Sequence, residues 1–166
     1  MRKYLLFLLL LGSMAASGQN LSRRNTVYAE AFGNGIGIMS VNYEHQPQGL
    51  PGLGFRLGLG YFADDGQKFR VSVPAGINYL FPRGRGRYFI DAGAGITWSN
   101  ASGLKTYEQE LRTGSGAGEY IFSFVPSIGF RQHIINEKVM WRFSFSGIIN
   151  KYRAFPFAGI AAGFRF

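Results

Sequence analysis

The feature that most constrains the fold is an alternation of apolar and polar residues that recurs along most of the chain. Successive side chains of a β-strand point to opposite faces, so a period of two predicts strands with two different faces. Glycine-rich and proline-containing turns, such as Gly33-Asn34-Gly35 and Pro82-Arg83-Gly84, separate the alternating segments. The pattern predicts an all-β protein with eight strands, at 26–32, 36–45, 53–62, 70–81, 87–98, 119–131, 138–149 and 156–166.

The two faces of the last six predicted strands differ in composition. One face is apolar and uncharged, as in the series Leu53, Phe55, Leu57, while the opposite face carries glycine, serine and charged residues that are mostly arginine. A soluble lipocalin-like barrel would place the apolar face inside, whereas a membrane barrel would place it outside. The polar face has too few charges and too many small residues for a solvated surface, and it suits a crowded lumen. We therefore predict an eight-stranded antiparallel up-and-down transmembrane β-barrel.

Composition removes several other classes of protein. The chain has no cysteine, which excludes a disulfide scaffold, a thiolate metal site and a cysteine nucleophile. Its 24 glycines among 166 residues argue against a helical bundle, because an interior glycine costs a helix about 1 kcal/mol relative to alanine. The formal net charge of +9 suits an anionic membrane surface and specifies no ligand.

The N-terminal segment has the layout of a secretory signal peptide. A basic start, Arg2-Lys3, precedes the apolar run Leu5–Leu11 and the small residues Ala15–Gly18. The alternative, an N-terminal membrane helix, is weaker because the run is much shorter than the roughly 20 residues needed to span a bilayer. We predict a cleaved signal peptide at 1–18, a barrel domain at 19–166 and export from the cytoplasm.

Charged residues on the predicted inner face form the most notable cluster. An eight-stranded barrel has an interior just wide enough for side chains to fill, and an unpaired charge buried there would be very costly. The cluster is therefore interpreted as a packed electrostatic core, with an ion-conducting lumen or gate as the alternative. Five arginines against three acids leave an excess of two. The predicted lumen charge network comprises Glu30, Glu44, Arg56, Arg70, Asp91, Arg131, Arg142 and Arg165.

The first two strands are less regular than the others. Tyr28, Glu30 and Phe32 are expected inside, but Ile36 and Ile38 break the alternation. Residues 26–45 could form one bent strand, which would give seven strands in all. We predict two strands, because bacterial single-chain barrels have even strand numbers.

Four segments carry a resemblance to a known family. Thr26–His45 (TVYAEAFGNGIGIMSVNYEH), Val73–Phe81 (VPAGINYLF), Tyr88–Trp98 (YFIDAGAGITW) and Pro156–Phe166 (PFAGIAAGFRF) resemble the small outer-membrane β-barrel proteins of Bacteroidetes-type bacteria. The resemblance implies a location in the outer membrane of a Gram-negative bacterium and carries no catalytic residues.

The C-terminal segment carries a second resemblance. The alternating residues Ile160, Ala162, Phe164 and Phe166 resemble the terminal strand signal that the barrel assembly machinery recognises. Such a signal implies that this machinery is a partner during insertion.

The connections suggest an orientation and a candidate binding element. With both termini in the periplasm, the longest connection, Asn100–Gly118, faces the exterior, and short turns face the periplasm. Loop 100–118 is then the first candidate for an extracellular partner. Aromatic residues near strand ends are expected to form interfacial girdles in contact with outer-membrane lipids: Tyr61, Tyr79, Phe81, Tyr88, Trp98, Tyr120, Phe130 and Phe166.

The sequence has few motifs that are typical of catalytic, metal-binding or nucleic-acid-binding sites. The two histidines, His45 and His133, are expected in or near periplasmic turns, and no cluster of Asp, Glu or Cys surrounds them at metal-ligand spacing. The basic run Arg83-Gly-Arg85-Gly-Arg87 is expected to touch lipid headgroups rather than nucleic acid. We therefore predict no catalytic residues, metal or other cofactor, and a monomer.

Three functions are consistent with these features. The first is a non-enzymatic outer-membrane barrel with a structural, surface-interaction or small-ligand role and a narrow, filled lumen. The second is a membrane-embedded enzyme acting on lipid or lipid A, and the third is an exported soluble lipocalin-like binding barrel.

Overall fold

A computed structural model of the chain describes residues 23–33, 39–63, 69–84, 87–99, 120–151 and 154–166, without the side chains of 62, 63, 69 and 70. These residues form eight β-strands. Among them, no helix is long and apolar enough to cross a membrane. The strands are β1 (Asn25–Phe32), β2 (Met39–His45), β3 (Gly52–Ala63), β4 (Phe69–Arg83), β5 (Tyr88–Ser99), β6 (Ile121–Ile134), β7 (Val139–Ile149) and β8 (Ala154–Arg165).

The eight strands form one closed antiparallel barrel in sequence order. β1 pairs with β8, so the sheet has no free edge, and two backbone hydrogen bonds between Asn25 and Phe166, at 3.0 and 2.8 Å, extend this closure. We call the end of the barrel at Asn25 and Phe166 the terminal rim, and the opposite end, at Phe32 and Ala154, the distal rim. Odd strands run from the terminal rim to the distal rim, so β5 ends and β6 begins at the distal rim.

The register fixes the shape of the barrel. Followed once around the eight strands, the cross-strand pairs shift by about ten residues, and this shear corresponds to strands tilted by about 40° from the barrel axis. β3, β5 and β8 have 12 residues each. At a rise of about 3.3 Å per residue and this tilt, such a strand spans about 30 Å along the axis.

Alternation in the sequence corresponds to the two faces of the barrel wall. In β3, for example, Arg56 is buried in the lumen, while Leu57 and Leu59 are exposed on the outside. The inner face has room for long side chains because glycine occupies neighbouring inner positions. A Cβ atom added to Gly76 would lie 2.6 Å from the Ala94 carbonyl oxygen and 3.1 Å from Arg56 Nε.

The two-strand interpretation of residues 26–45 is confirmed, since β1 and β2 pair with each other along their lengths. Phe32, however, is wrongly predicted to lie inside. Its φ of 58° ends the extended conformation of β1, and its ring is 52% exposed. The predicted signal peptide at 1–18 and the predicted loop at 100–118 lie outside the described residues.

Candidate functional site

The centre of the lumen is organised around Arg131 of β6. Its guanidinium donates two hydrogen bonds to the two carboxylate oxygens of Glu44, at 2.6 and 2.8 Å, and two to Asp91 Oδ2, at 3.0 and 2.6 Å. All three side chains are buried. A planar guanidinium can satisfy several acceptors at once, which explains why arginine suits this position better than lysine. Arg131 thus joins β2, β5 and β6 across the barrel.

Arg142 of β7 forms the second half of the network. It donates to Glu30 Oε1 at 2.5 Å and to Asp91 Oδ2 at 3.4 Å, and its guanidinium carbon lies 5.1 Å from the centre of the Tyr28 ring. Asp91 is therefore shared between the two arginines, which are opposite each other in the register of β6 and β7. Placing an acceptor between two like charges offsets their repulsion.

Arg56 of β3 completes the central charge balance. It lies opposite Glu44 in the register of β2 and β3, and its Nη2 is 3.4 Å from Ser127 Oγ. Three arginines, at 56, 131 and 142, thus share the central lumen with three carboxylates, at 30, 44 and 91. The predicted set is brought together here except for Arg70, whose side chain is not described, and Arg165.

Arg165 lies at the terminal rim rather than in the centre. Its Nη1 is 3.2 Å from Oε2 of Glu137, in the turn between β6 and β7. Sequence reasoning missed Glu137, because it counted acids on predicted strands only. The end of β8 and this turn are joined by the hydrogen bond from Arg165 N to Lys138 O, at 2.7 Å. This acid therefore accounts for one of the two arginines that the sequence left in excess.

His133 corrects a sequence-based expectation. It lies within β6 rather than in a turn, because the strand continues three residues beyond its predicted end. The ring is fully buried, lies edge-on to Phe89 with 5.6 Å between ring centres, and neither ring nitrogen has a hydrogen-bond partner. His45, at the end of β2, instead has Nδ1 2.8 Å from Asn25 Oδ1. Within the described ranges, no group of three or more potential ligands could hold a metal ion.

Apolar side chains cluster in the distal half of the lumen. Ile121, Val125 and Ile148 form a buried cluster, against which Phe155 and Phe157 of β8 pack. Together with the central charges and the His133 region, this cluster gives the lumen three successive layers of side chains. An interior filled in this way is typical of an eight-stranded barrel.

The outer wall is apolar between its two rims. Leu59 and Phe122 are each 65% exposed, whereas Arg131 in the lumen is completely buried. The outward positions of β8 include Ile160, Ala162 and Phe164, three residues of the predicted assembly signal, while Phe166 follows the strand. The burial of polar and apolar residues is therefore the inverse of that in a water-soluble domain.

Aromatic side chains border this wall at both rims. At the terminal rim, Tyr88 stacks on Phe130 with ring centres 5.8 Å apart, and Trp141 donates to Gln132 Oε1 at 2.7 Å. At the distal rim, Trp98 stacks on Tyr120 with ring centres 5.3 Å apart. An aromatic ring with a satisfied polar group suits a boundary between an apolar and a wet environment.

Comparison with known proteins gives the fold and leaves the family open. No protein-family model and no curated protein sequence matches the chain. Among solved structures, the barrel is similar to the N-terminal β-barrel domain of Pseudomonas aeruginosa OprF, with a TM-score of 0.62 and 16% sequence identity over 87% of this chain and 99% of that one. The predicted fold, a closed eight-stranded antiparallel barrel, is confirmed.

Proposed function

We propose that the chain is an integral outer-membrane β-barrel of a Gram-negative bacterium, with a structural, surface-interaction or small-ligand role and a lumen closed by side chains. The observation that carries the proposal is the inverted burial pattern: an exposed apolar wall around a charged interior. Strands of about 30 Å along the axis match the apolar thickness of a bilayer. The likeness of the fold to the OprF barrel domain supports the same proposal.

The soluble lipocalin-like alternative requires the opposite arrangement. Exposing side chains such as Leu57, Leu59 and Phe145 to water would create an apolar surface far larger than soluble monomers tolerate. The charged residues that would make such a barrel soluble are instead in the lumen.

A lipid-modifying enzyme has less support than a non-enzymatic role. A serine hydrolase needs a histidine hydrogen-bonded to both a serine and an acid. Among the described residues, His133 has no hydrogen-bond partner at either ring nitrogen, and His45 faces the side chain of Asn25.

Outer-membrane lipids, the assembly machinery and an extracellular partner at loop 100–118 are proposed as contacts. Membership of the Bacteroidetes-type family is a further part of the proposal.

Fractionation of a Gram-negative host expressing the full chain tests the proposal. We expect the protein in the outer-membrane fraction, released only by detergent, with different gel mobility before and after boiling because closed barrels resist unfolding by detergent. Recovery in the soluble periplasmic fraction without detergent, and identical mobility in both samples, would contradict it.

A further inference from the structure

The distal half of the outer wall contains a groove that interrupts the smooth apolar surface. It has a volume of about 660 Å³ and runs across the strands from β5 to β8. This volume is within the range of about 300–1,000 Å³ that is typical of small-molecule sites. Its outward lining includes Ala92, Pro126, Gly147 and Pro156, none of which has a long side chain.

The groove arises from a row of small or cyclic residues on adjacent strands. Pro126 of β6 lies opposite Ala94 of β5, and Gly147 of β7 lies opposite Pro156 of β8. Between β6 and β7, the pairing passes from Phe124–Ile149 directly to Ser127–Ser146, so it is interrupted at Pro126. Proline has no N–H to donate to a ladder, and Gly147 contributes no side chain to cover the gap.

Large side chains border this row on both sides. Ile128 and Phe145 project outward next to it on the terminal side, and Ile149 does so on the distal side. The residues of the row are cross-strand neighbours. Because the strands are tilted, the row lies near the middle of β5 but near the distal end of β8. The groove therefore crosses the outer wall obliquely, from the middle of β5 toward the distal end of β8.

The floor of the groove is mostly apolar. Phe155 and Phe157 reach it from the lumen side, where they pack on the distal apolar cluster. Ser146 also lines it, and its buried hydroxyl has no hydrogen-bond partner.

We propose that the groove binds one acyl chain of a membrane lipid from the leaflet at the distal rim. The inference rests on the proposed membrane location, because the groove is continuous with the wall that would face lipid. A volume of about 660 Å³ and a mostly apolar lining, bordered by Ile128 and Phe145, suit a flexible hydrocarbon chain. The bound chain would exchange with bulk lipid more slowly than chains on the rest of the wall.

Quenching of tryptophan fluorescence by a brominated acyl chain tests the proposal. In a Trp98→Phe, Trp141→Phe background, Phe145→Trp reports on the groove, and Leu57→Trp on β3 reports on plain wall. Each reporter is reconstituted in phosphatidylcholine vesicles with increasing fractions of phosphatidylcholine brominated on its acyl chains. When the brominated chains are longer than the unbrominated ones, we expect the groove reporter to reach half-maximal quenching at a several-fold lower brominated fraction than the wall reporter. When the chain lengths are matched, we expect both reporters to reach half-maximal quenching at the same fraction. In that case, quenching of the groove reporter should begin more slowly after the vesicles are mixed.

Filling the groove should remove the differences in quenching between the groove reporter and the wall reporter. Gly147→Leu is expected to fit, since a Cβ atom there would lie no closer than 3.6 Å to Pro126, and Ala92→Leu fills the same groove from β5. Ala75→Leu, on the outer face of β4, is the matched control and should leave the groove signal unchanged.

The reporters separate failure of this inference from failure of the membrane proposal. If Leu57→Trp is not quenched, the barrel is not surrounded by lipid and the proposed function is wrong. If Leu57→Trp is quenched and the groove reporter behaves identically in dose and in rate, the acyl-chain site is wrong. A groove signal that persists in both filling variants would also overturn it.

Discussion

Arg131 and Arg165 both lie on the inner side of the barrel, but the exposure of their carboxylate partners differs. Arg131 is completely enclosed and depends on Glu44 and Asp91, whereas the partner of Arg165, Glu137, is 47% exposed. Removing one member of a buried ion pair leaves an uncompensated charge in a medium of low dielectric constant, while water replaces a lost exposed partner. The energetic importance of each ion pair therefore follows from the burial of both partners rather than from residue type.

Arg131→Met is expected to lower the free energy of unfolding by about 3–5 kcal/mol, because Glu44 and Asp91 would lose their shared partner. Urea unfolding in lipid vesicles, followed by the fluorescence of Trp98 and Trp141, measures this change. Arg83→Met, at an exposed position of β4, is the control and should change stability by about 0.5 kcal/mol or less. Equal effects of the two substitutions would show that the network does not hold the lumen together.

Glu44→Gln should cost less in the Arg131→Met background than in the native protein. The carboxylate that the substitution neutralises has already lost its arginine, so the two effects are expected to couple by about 1–3 kcal/mol. A double-mutant cycle from the same urea titrations gives this coupling. Simple additivity would contradict the bidentate contact.

Glu30→Gln and Glu137→Gln form a matched pair of neutralisations. Glu30 is buried against Arg142, so its substitution should destabilise the barrel by about 3 kcal/mol. Glu137 is 47% exposed, so water can take the place of its carboxylate next to the buried Arg165 side chain, and its substitution should cost less than that of Glu30. Thermal or urea unfolding in the same vesicles compares them, and a reversed order would refute the burial argument.

Most apolar residues of the strands point outward, and their position along the strand determines their depth in a bilayer. On β3, Leu57 lies near the middle of the strand and Leu53 near the terminal rim. Both are exposed on the outer face. In a bilayer, the middle of the strand would lie in hydrocarbon and the rim near headgroups, so the two leucines differ in depth while sharing strand, face and residue type.

Leu57→Arg is therefore expected to destabilise the membrane-inserted barrel by about 2–4 kcal/mol, and Leu53→Arg by about 1 kcal/mol or less. Unfolding of both variants from vesicles measures the difference. In a water-soluble barrel, both substitutions would replace an exposed apolar group by a charge at little cost, so equal and small effects would argue against the membrane location.

At the scale of the whole molecule, closure and lumen filling depend on each other. The β1–β8 pairing removes the free edges of the sheet, and eight strands leave an interior that side chains can occupy. The central charges, the apolar cluster around Ile148 and the region of His133 occupy it at successive levels. The described barrel therefore has its charged residues and one apolar cluster on the inner side of the sheet.

The purified barrel should not form a wide open pore. We expect planar bilayers containing it to show no sustained large-conductance openings, because the central network and the distal apolar cluster obstruct the same lumen. Recording at several voltages, with a 16-stranded porin as the positive control, tests this expectation. Stable, water-filled pore currents would contradict the filled lumen.

The sequence by itself determined the strands, their two faces and the all-β fold class. These features are local, because the period of two follows from backbone geometry. Arg56 and Leu57, for example, are consecutive residues, so a strand places them on opposite faces. The inner position of Glu44, Asp91 and Arg131 was predictable for the same reason.

Tertiary structure decided which of the inner charges meet. Glu44 and Arg131 are 87 residues apart in the chain, and only barrel closure and register bring them to 2.6 Å. The same long-range geometry assigned Arg165 to Glu137, enclosed His133 in the lumen, and aligned Pro126, Gly147 and Pro156 into a groove. Alternation specifies the face of each side chain, whereas its neighbours depend on strand pairing between distant segments, which a local pattern does not contain.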